Sequence, residues 1–161
     1  MAGGNIQVNY DVGTPTADLT LIKLMINSVL SRPGAKFACF DAANFHLQTP
    51  MARPEYVRIK ASDIPDEFAK EYGLEAYTHK GWVYFAVVRG ACGLPQSGKL
   101  ANDLLRKRLN AAGYFEAPTT PGLWRHTWRP VQFVLIVDDF GVDYAGKQHA
   151  CHLLGMLNKQ Y

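Results

Sequence analysis

Val131-Gln-Phe-Val-Leu-Ile-Val-Asp-Asp-Phe-Gly-Val-Asp-Tyr144 reads as a β-hairpin. Val131 to Val137 is apolar and β-branched, interrupted only by Gln132; Asp138-Asp139 follows at once, and Phe140 to Tyr144 resumes the strand pattern. Aspartate is common where a chain reverses, so the pair fits ordinary turn chemistry. It also fits a site, because Lys36 to Phe40 is a short, largely apolar run that reads as a buried strand and leads directly into a third carboxylate, Asp41. If these strands are neighbours, like charges ~4 Å apart repel by about 4 kcal/mol at an effective dielectric of about 20. A divalent cation relieves such repulsion, and an all-oxygen site suits Mg²⁺, with Mn²⁺ as a substitute.

Outward from the hairpin the pattern alternates. Thr14-Pro15 supplies a capping hydroxyl and a proline at a first helical position, which predicts a helix carrying Leu19, Ile22, Ile26 and Val29 and stopped by Pro33-Gly34. Glu55 to Lys60 alternates as a half-buried strand, Asp63 is placed to cap a short helix from Pro65 to about Tyr72, and Gly73 stops it. Trp82 to Val88 reads as a strand running through Arg89-Gly90 into a glycine-containing loop. From Ser97 to Ala112, Leu100, Leu104, Leu105 and Leu109 mark a helix closed by Gly113, with Arg106, Lys107 and Arg108 expected on a solvated face. Leu123 to Trp128 reads as another strand and Gly146 onward as an amphipathic helix reaching Tyr161, whereas Ala2 to Asn5 has no periodicity.

The chain has 161 residues, 48% hydrophobic and 19% charged, enough for one domain with its own core. Cys39, Cys92 and Cys151 are dispersed and odd in number, which points to reduced thiols in an intracellular protein. Phe133 to Val137, the longest apolar run, is far short of the ~20 residues that span a bilayer, and the N-terminus lacks the basic flank and apolar run of a signal peptide. A soluble chain without membrane association is expected. Lys plus Arg is 17 against 14 for Asp plus Glu, a net charge of +3 that permits a nucleic-acid partner without requiring one.

Several constellations compete for the function. Gly93 to Lys99 (GLPQSGK) fits a phosphate-binding loop, and FVLIVDD resembles the acidic strand that accompanies one in P-loop NTPases. The magnesium-binding hydroxyl expected after the lysine is replaced by Leu100, and Pro95 has no amide to offer a phosphate. His149 and His152 fall one turn apart on the last helix, a possible ligand pair without a second pair elsewhere, and are read as surface or packing. Trp82, Trp124 and Trp128, with Tyr77 and Tyr84, could stack bases but fit a core equally well. Cys92 has no histidine nearby in sequence to support a nucleophilic role.

Taken in order, Gly13-Thr-Pro-Thr-Ala-Asp-Leu19, Phe40-Asp-Ala-Ala-Asn-Phe-His-Leu-Gln-Thr-Pro50, Glu55-Tyr-Val-Arg-Ile59, Arg89-Gly-Ala-Cys-Gly-Leu-Pro-Gln96 and Ile136-Val-Asp-Asp-Phe140 resemble successive blocks of the reverse transcriptase of copia-type retrotransposons. The resemblance covers nearly the whole chain and implies an α/β (α+β), polymerase palm-like fold, mainly antiparallel sheet with packed helices and partial fingers. It implies a single partial domain over 1–161, with 35–50 and 96–161 as palm and 1–34 and 51–95 as fingers and palm elements. Asp41 and Asp138 would be the principal metal ligands, with Asp139 completing a cluster that holds two Mg²⁺ ions. Gln96 would lie beside the incoming deoxynucleoside triphosphate and the template. The family usually carries Tyr or Phe five residues after the first aspartate, against the deoxyribose; here that residue is His46, either a sugar contact or a satisfied buried histidine, and Phe45 before it would also lie at the nucleotide. The implied reaction is nucleotidyl transfer to a primer on an RNA or DNA template. Basic fingers residues and the thumb are expected to be missing, so a noncatalytic nucleic-acid-binding remnant is the alternative, with a P-loop NTPase behind it.

Overall fold

Antiparallel strands organise the computed structural model, which describes residues 11–159. In chain order the elements are α1 (Leu19–Ser31), β1 (Ala35–Asp41), β2 (Pro50–Lys60), α2 (Asp66–Glu71), β3 (Thr78–His79), β4 (Trp82–Arg89), α3 (Ser97–Ala111), β5 (Tyr114–Glu116), β6 (Leu123–His126), β7 (Val131–Ile136), β8 (Asp139–Ala145) and α4 (Lys147–Asn158), with 3₁₀ turns at Ala61–Asp63 and Leu74–Tyr77. The readings made for Ala2 to Asn5 and for a helix end at Tyr161 lie outside the described residues. The mainly antiparallel α+β organisation expected from the sequence is present. No helix of the described residues is long and apolar enough to cross a membrane.

The larger sheet has the order β1-β8-β7-β6-β5 and the smaller β2-β4-β3. Period-2 alternation gives the larger sheet two apolar faces. Phe133, Leu135, Phe140, Val142 and Trp124 point to one face, where they form the main core with Ala101, Leu105 and Leu109 of α3 and Leu153 and Leu157 of α4. The other face presents Leu123 and Val134 to Ala17 and Met25, with Phe37, Ile136, Leu21 and Ile22 packed around them. Helix α1 covers this face through Leu21, Ile22 and Met25; of the four residues read as its apolar stripe, Ile22 joins the cluster, whereas Leu19 and Ile26 are exposed.

Two helix starts differ from expectation. The first helix begins at Leu19, where Asp18 Oδ1 accepts from the Leu21 amide at 2.7 Å. Thr14-Pro15 is not its N-terminus, because the preceding segment is committed to the sheet: the Ala17 amide donates to the Leu135 carbonyl at 3.0 Å. Gly122 lies against that segment so closely that a Cβ would meet the Ala17 nitrogen at 2.4 Å. Asp63 does not cap α2; it lies in a 3₁₀ turn, where its carboxylate accepts from the Ser62 hydroxyl, and the helix starts after Pro65. Strand β5 escaped the sequence because three residues are too few to show a period.

Arg106 also departs from the expected solvated face. It pairs with Glu116 and lies over the buried Trp124 ring at 5.4 Å, while Glu116 accepts the Gly122 amide. Of the other aromatics considered, Trp128, Tyr77 and Tyr84 are exposed and Trp82 is half-buried. The three cysteines are exposed and unpaired.

Candidate active site

Strands β1 and β8 pair without interruption from Ala35 opposite Ala145 to Asp41 opposite Asp139. The Ala42 amide donates to the Asp138 carbonyl at 3.0 Å, which makes Asp41 and Asp139 a pair of the non-hydrogen-bonded kind. Facing side chains of such pairs bring their Cβ atoms to about 4.5–5.5 Å on one face of the sheet. Both aspartates are exposed. Among the described residues none of Asp41, Asp138 and Asp139 has a side-chain hydrogen bond or an ion-pair partner. Two like charges thus sit across a strand pair without a protein cation, an arrangement that destabilises the sheet locally.

The hairpin that delivers Asp139 is tight: Ile136 pairs with Asp139, leaving Val137 and Asp138 as the turn. Val137 has φ 59°, the left-handed conformation that the first turn position of such a hairpin reserves for glycine. A β-branched residue there stores strain of about 1–3 kcal/mol. Asp138, half-buried, takes the second turn position. The resemblance ranks Asp138 with Asp41, whereas the register gives Asp41 its same-face neighbour in Asp139. Phe40 and Phe140, stacked with centroids 5.6 Å apart, lie on the opposite face directly behind the pair.

No three His, Cys, Asp or Glu side chains among the described residues converge as a metal cage. The chain offers a cation the open pair Asp41 and Asp139, with Asp138 in the adjoining turn opposite Ala42. That donor set fits Mg²⁺ in kind, since Mg²⁺ keeps several waters and is commonly held by one or two carboxylates plus substrate phosphates.

The residues expected at the nucleotide divide. Phe45 is 3% exposed and belongs to the main core, so it packs under the site and is not available to a sugar. His46 is half-buried, with its ring edge-on to Phe45 at 5.4 Å, and its buried Nδ1 has no partner. It is therefore not the satisfied buried histidine of the alternative reading. Gln96 is buried at the start of α3; its Nε2 donates to Glu55 Oε1 at 2.9 Å, and its Oε1 is buried without a donor. Gly90 joins these neighbourhoods: its amide donates to the Thr49 carbonyl at 2.8 Å, and a Cβ on it would meet the His46 carbonyl at 2.6 Å. Glu55, at the head of an alternating strand, is the partner of Gln96 that no motif in the sequence singles out.

The phosphate-loop alternative finds its parts already engaged. Ser97 Oγ accepts the Ala91 amide at 3.0 Å, the Leu94 and Ser97 amides donate within the same loop, and Lys99 pairs with Asp103. The strand entering this loop, β4, and the FVLIVDD strand, β7, lie in different sheets, whereas the two elements of an NTPase must meet at one magnesium. His149 and His152 are packing residues, as expected: His149 Nδ1 lies 3.4 Å from the Arg129 guanidinium, and His152 Nδ1 is 3.0 Å from the Tyr114 hydroxyl.

One surface was not foreseen as a unit. On one face of the smaller sheet, Tyr56, Arg58 and Lys60 of β2 stand beside Ala86, Tyr84 and Trp82 of β4. The Arg58 guanidinium lies 4.5 Å from the centre of the Trp82 ring and the Lys60 ammonium 5.8 Å. Tyr56 and Tyr84 are 75% and 55% exposed, which leaves two tyrosine faces and two cations on one ribbon.

Comparison of the chain with protein-family models, with curated proteins and with solved structures finds no match.

Proposed function

We propose that this chain is the palm portion, with part of the fingers, of a copia-type reverse transcriptase, and that its chemistry is template-directed nucleotidyl transfer. The observation that carries the reading is the facing pair Asp41 and Asp139 at one end of the β1/β8 ladder, exposed and without a protein cation. Such a pair costs stability and is explained by a ligand of opposite charge. Asp41 and Asp139 would hold Mg²⁺, with Asp138 in the adjoining turn. When bound, the metal supplies charge neutralisation for a triphosphate and a lowered pKa for an attacking 3′-hydroxyl.

The chain's own groups do the rest. The strained Val137 turn and the unbroken β1/β8 register fix the carboxylates before substrate arrives, so no reorganisation is needed at the moment of reaction. Gln96 Oε1 and His46 Nδ1 are buried polar atoms without partners, and a nucleotide would reach them only once the packing over them opens. Glu55 holds the Gln96 amide in one orientation. Gly90 lets the His46 backbone approach β4.

A second reading, a noncatalytic binder of single-stranded nucleic acid, is favoured by the Tyr56, Arg58, Lys60, Trp82 and Tyr84 face, because cations beside exposed aromatic rings suit stacked bases and a phosphate backbone. Primer extension on RNA and DNA templates with Mg²⁺ or Mn²⁺ separates the two. Extension by the chain that is lost in Asp41→Asn and Asp139→Asn supports the transferase. No extension, with salt-sensitive oligonucleotide binding that weakens in Tyr84→Ala, supports the binder and overturns the enzymatic reading for this chain.

A further inference from the structure

On the same face of the larger sheet, at the end remote from the acidic pair, a row of polar side chains crosses three strands: Arg125 of β6 faces Gln132 of β7, which faces Asp143 of β8. Asp143 lies four residues beyond Asp139, about 14 Å along the strand. With Arg32 from the end of α1, Arg129 and His126, these residues line a solvent-open cavity of about 280 Å³, several times the ~30 Å³ that a water occupies in the liquid.

The charges in this cavity do not cancel. Asp143 is fully buried, and both its oxygens are used: one takes Arg32, the other accepts from Gln132 Nε2 at 2.8 Å. One guanidinium therefore answers the one carboxylate. Arg125 and Arg129 have no acidic partner among the described residues. Arg129 is held in place by its side chain over the Trp128 ring, 4.1 Å from the centre, and by its amide, which donates to His126 Nδ1 at 3.3 Å. Its Nε is nevertheless buried without an acceptor. Burial first, then the Arg129 guanidinium, holds the His126 imidazole below the usual histidine range, so the ring is neutral near pH 7. The balance is two guanidiniums without a carboxylate, Arg129 having its Nη1 3.4 Å from His149 Nδ1 and its Nε–H without an acceptor.

We propose that this cavity is a binding site for a dianionic phosphoryl group, inorganic phosphate or a terminal phosphate monoester. A phosphate monoester carries about −1.5 to −2 charges at pH 7 and presents three acceptor oxygens, which matches two guanidiniums without an acidic partner, Arg125 and Arg129, and the Arg129 Nε–H without an acceptor. Guanidinium forks bind such oxygens bidentately, which favours phosphate over a spherical anion. The site is independent of the nucleotidyl-transfer reading, because it uses none of Asp41, Asp138 and Asp139.

The Arg129 Nε–H resonance of the ¹⁵N-labelled chain reports the site directly. Sodium phosphate is expected to shift it saturably, with sodium chloride at equal ionic strength leaving it in place. Arg125→Gln, at an exposed position, should weaken the phosphate titration about tenfold or more, while the remote Lys70→Gln leaves it unchanged. Arg32 is avoided because its loss strands the Asp143 charge. A 5′-phosphorylated oligonucleotide that reproduces the shift, when the unphosphorylated strand does not, identifies a strand terminus as the source; a shift with inorganic phosphate alone identifies the free ion. An unmoved Arg129 Nε–H, or an Arg125→Gln titration equal to the parent's, overturns the proposal.

Discussion

Replacing Asp41 with asparagine should make the metal-free protein more stable. The substitution keeps size and polarity and removes one of two charges that face each other across β1 and β8. At a separation of ~5 Å, Coulomb's law gives about 3 kcal/mol at an effective dielectric of about 20 and about 0.8 kcal/mol in water. Both carboxylates are exposed, so the aqueous figure governs, and the expected gain is about 1 kcal/mol. For a chain of this length that raises the melting temperature by about 2–4 °C. Circular dichroism melts at low ionic strength with chelator measure the gain directly. Two controls identify its cause: it should shrink at about 1 M salt, where the screening length is ~3 Å, and added Mg²⁺ should raise the melting temperature of the parent more than that of Asp41→Asn. A variant that melts at or below the parent in low salt, or a gain that persists undiminished in high salt, would refute the reasoning.

Three further outcomes follow from the same geometry. Val137→Gly should stabilise the hairpin by about 1 kcal/mol, because glycine adopts the positive φ without the cost that valine bears; equal or lower stability in a urea melt would show the turn to be relaxed. Phe45→Ala should cost about 3–5 kcal/mol in the same melt, as expected for a large side chain removed from the main core, whereas a change below about 1 kcal/mol would return Phe45 to a surface role. Burial, and next the Arg129 guanidinium, holds both His126 and His152 below the usual histidine range. The unfolded chain then takes up protons near pH 6.5 that the folded chain resists, so stability is full above that pH and declines as it falls. The melting temperature should drop between about pH 7.5 and 5.5, and less steeply in His152→Asn.

Legibility differed by element. The strand, turn and strand of Val131 to Tyr144 could be read because an apolar, β-branched run ending at aspartates is a local property, and each strand boundary lies within about a residue of β7 and β8, although the turn is Val137-Asp138 and not the aspartate pair. The end of β1 at Asp41 was equally plain. Register was not: nothing in the sequence says that Asp41 faces Asp139 and not Asp138, because that depends on how strands far apart in sequence align. The start of α1 was misplaced for a related reason. Thr14-Pro15 has good helix-entry chemistry, but a sheet hydrogen bond from Ala17 to Leu135 holds the segment extended and leaves Asp18 to cap. Phe45 shows the limit for site residues: a planar side chain beside an aspartate suits a sugar and a core alike, and only burial separates them. The unpaired atoms of Gln96 and His46, and the paired Glu55, are likewise products of packing that no spacing encodes.

The pairing of β1 with β8 also dictates when the acidic pair can exist. Strands β7 and β8 are joined by a two-residue turn and can zip together within microseconds, an event local in sequence. Strand β1 must wait for its partner across most of the chain, including the whole smaller sheet and α3, and must meet the loop-closure cost before any of its pairs forms. During synthesis Asp41 leaves the ribosome long before Asp139, so a stalled or prematurely ended product retains the first carboxylate without the second. The ladder is thus a completeness check built into chain order: the charge repulsion of the site is incurred only once everything between its two halves has been made.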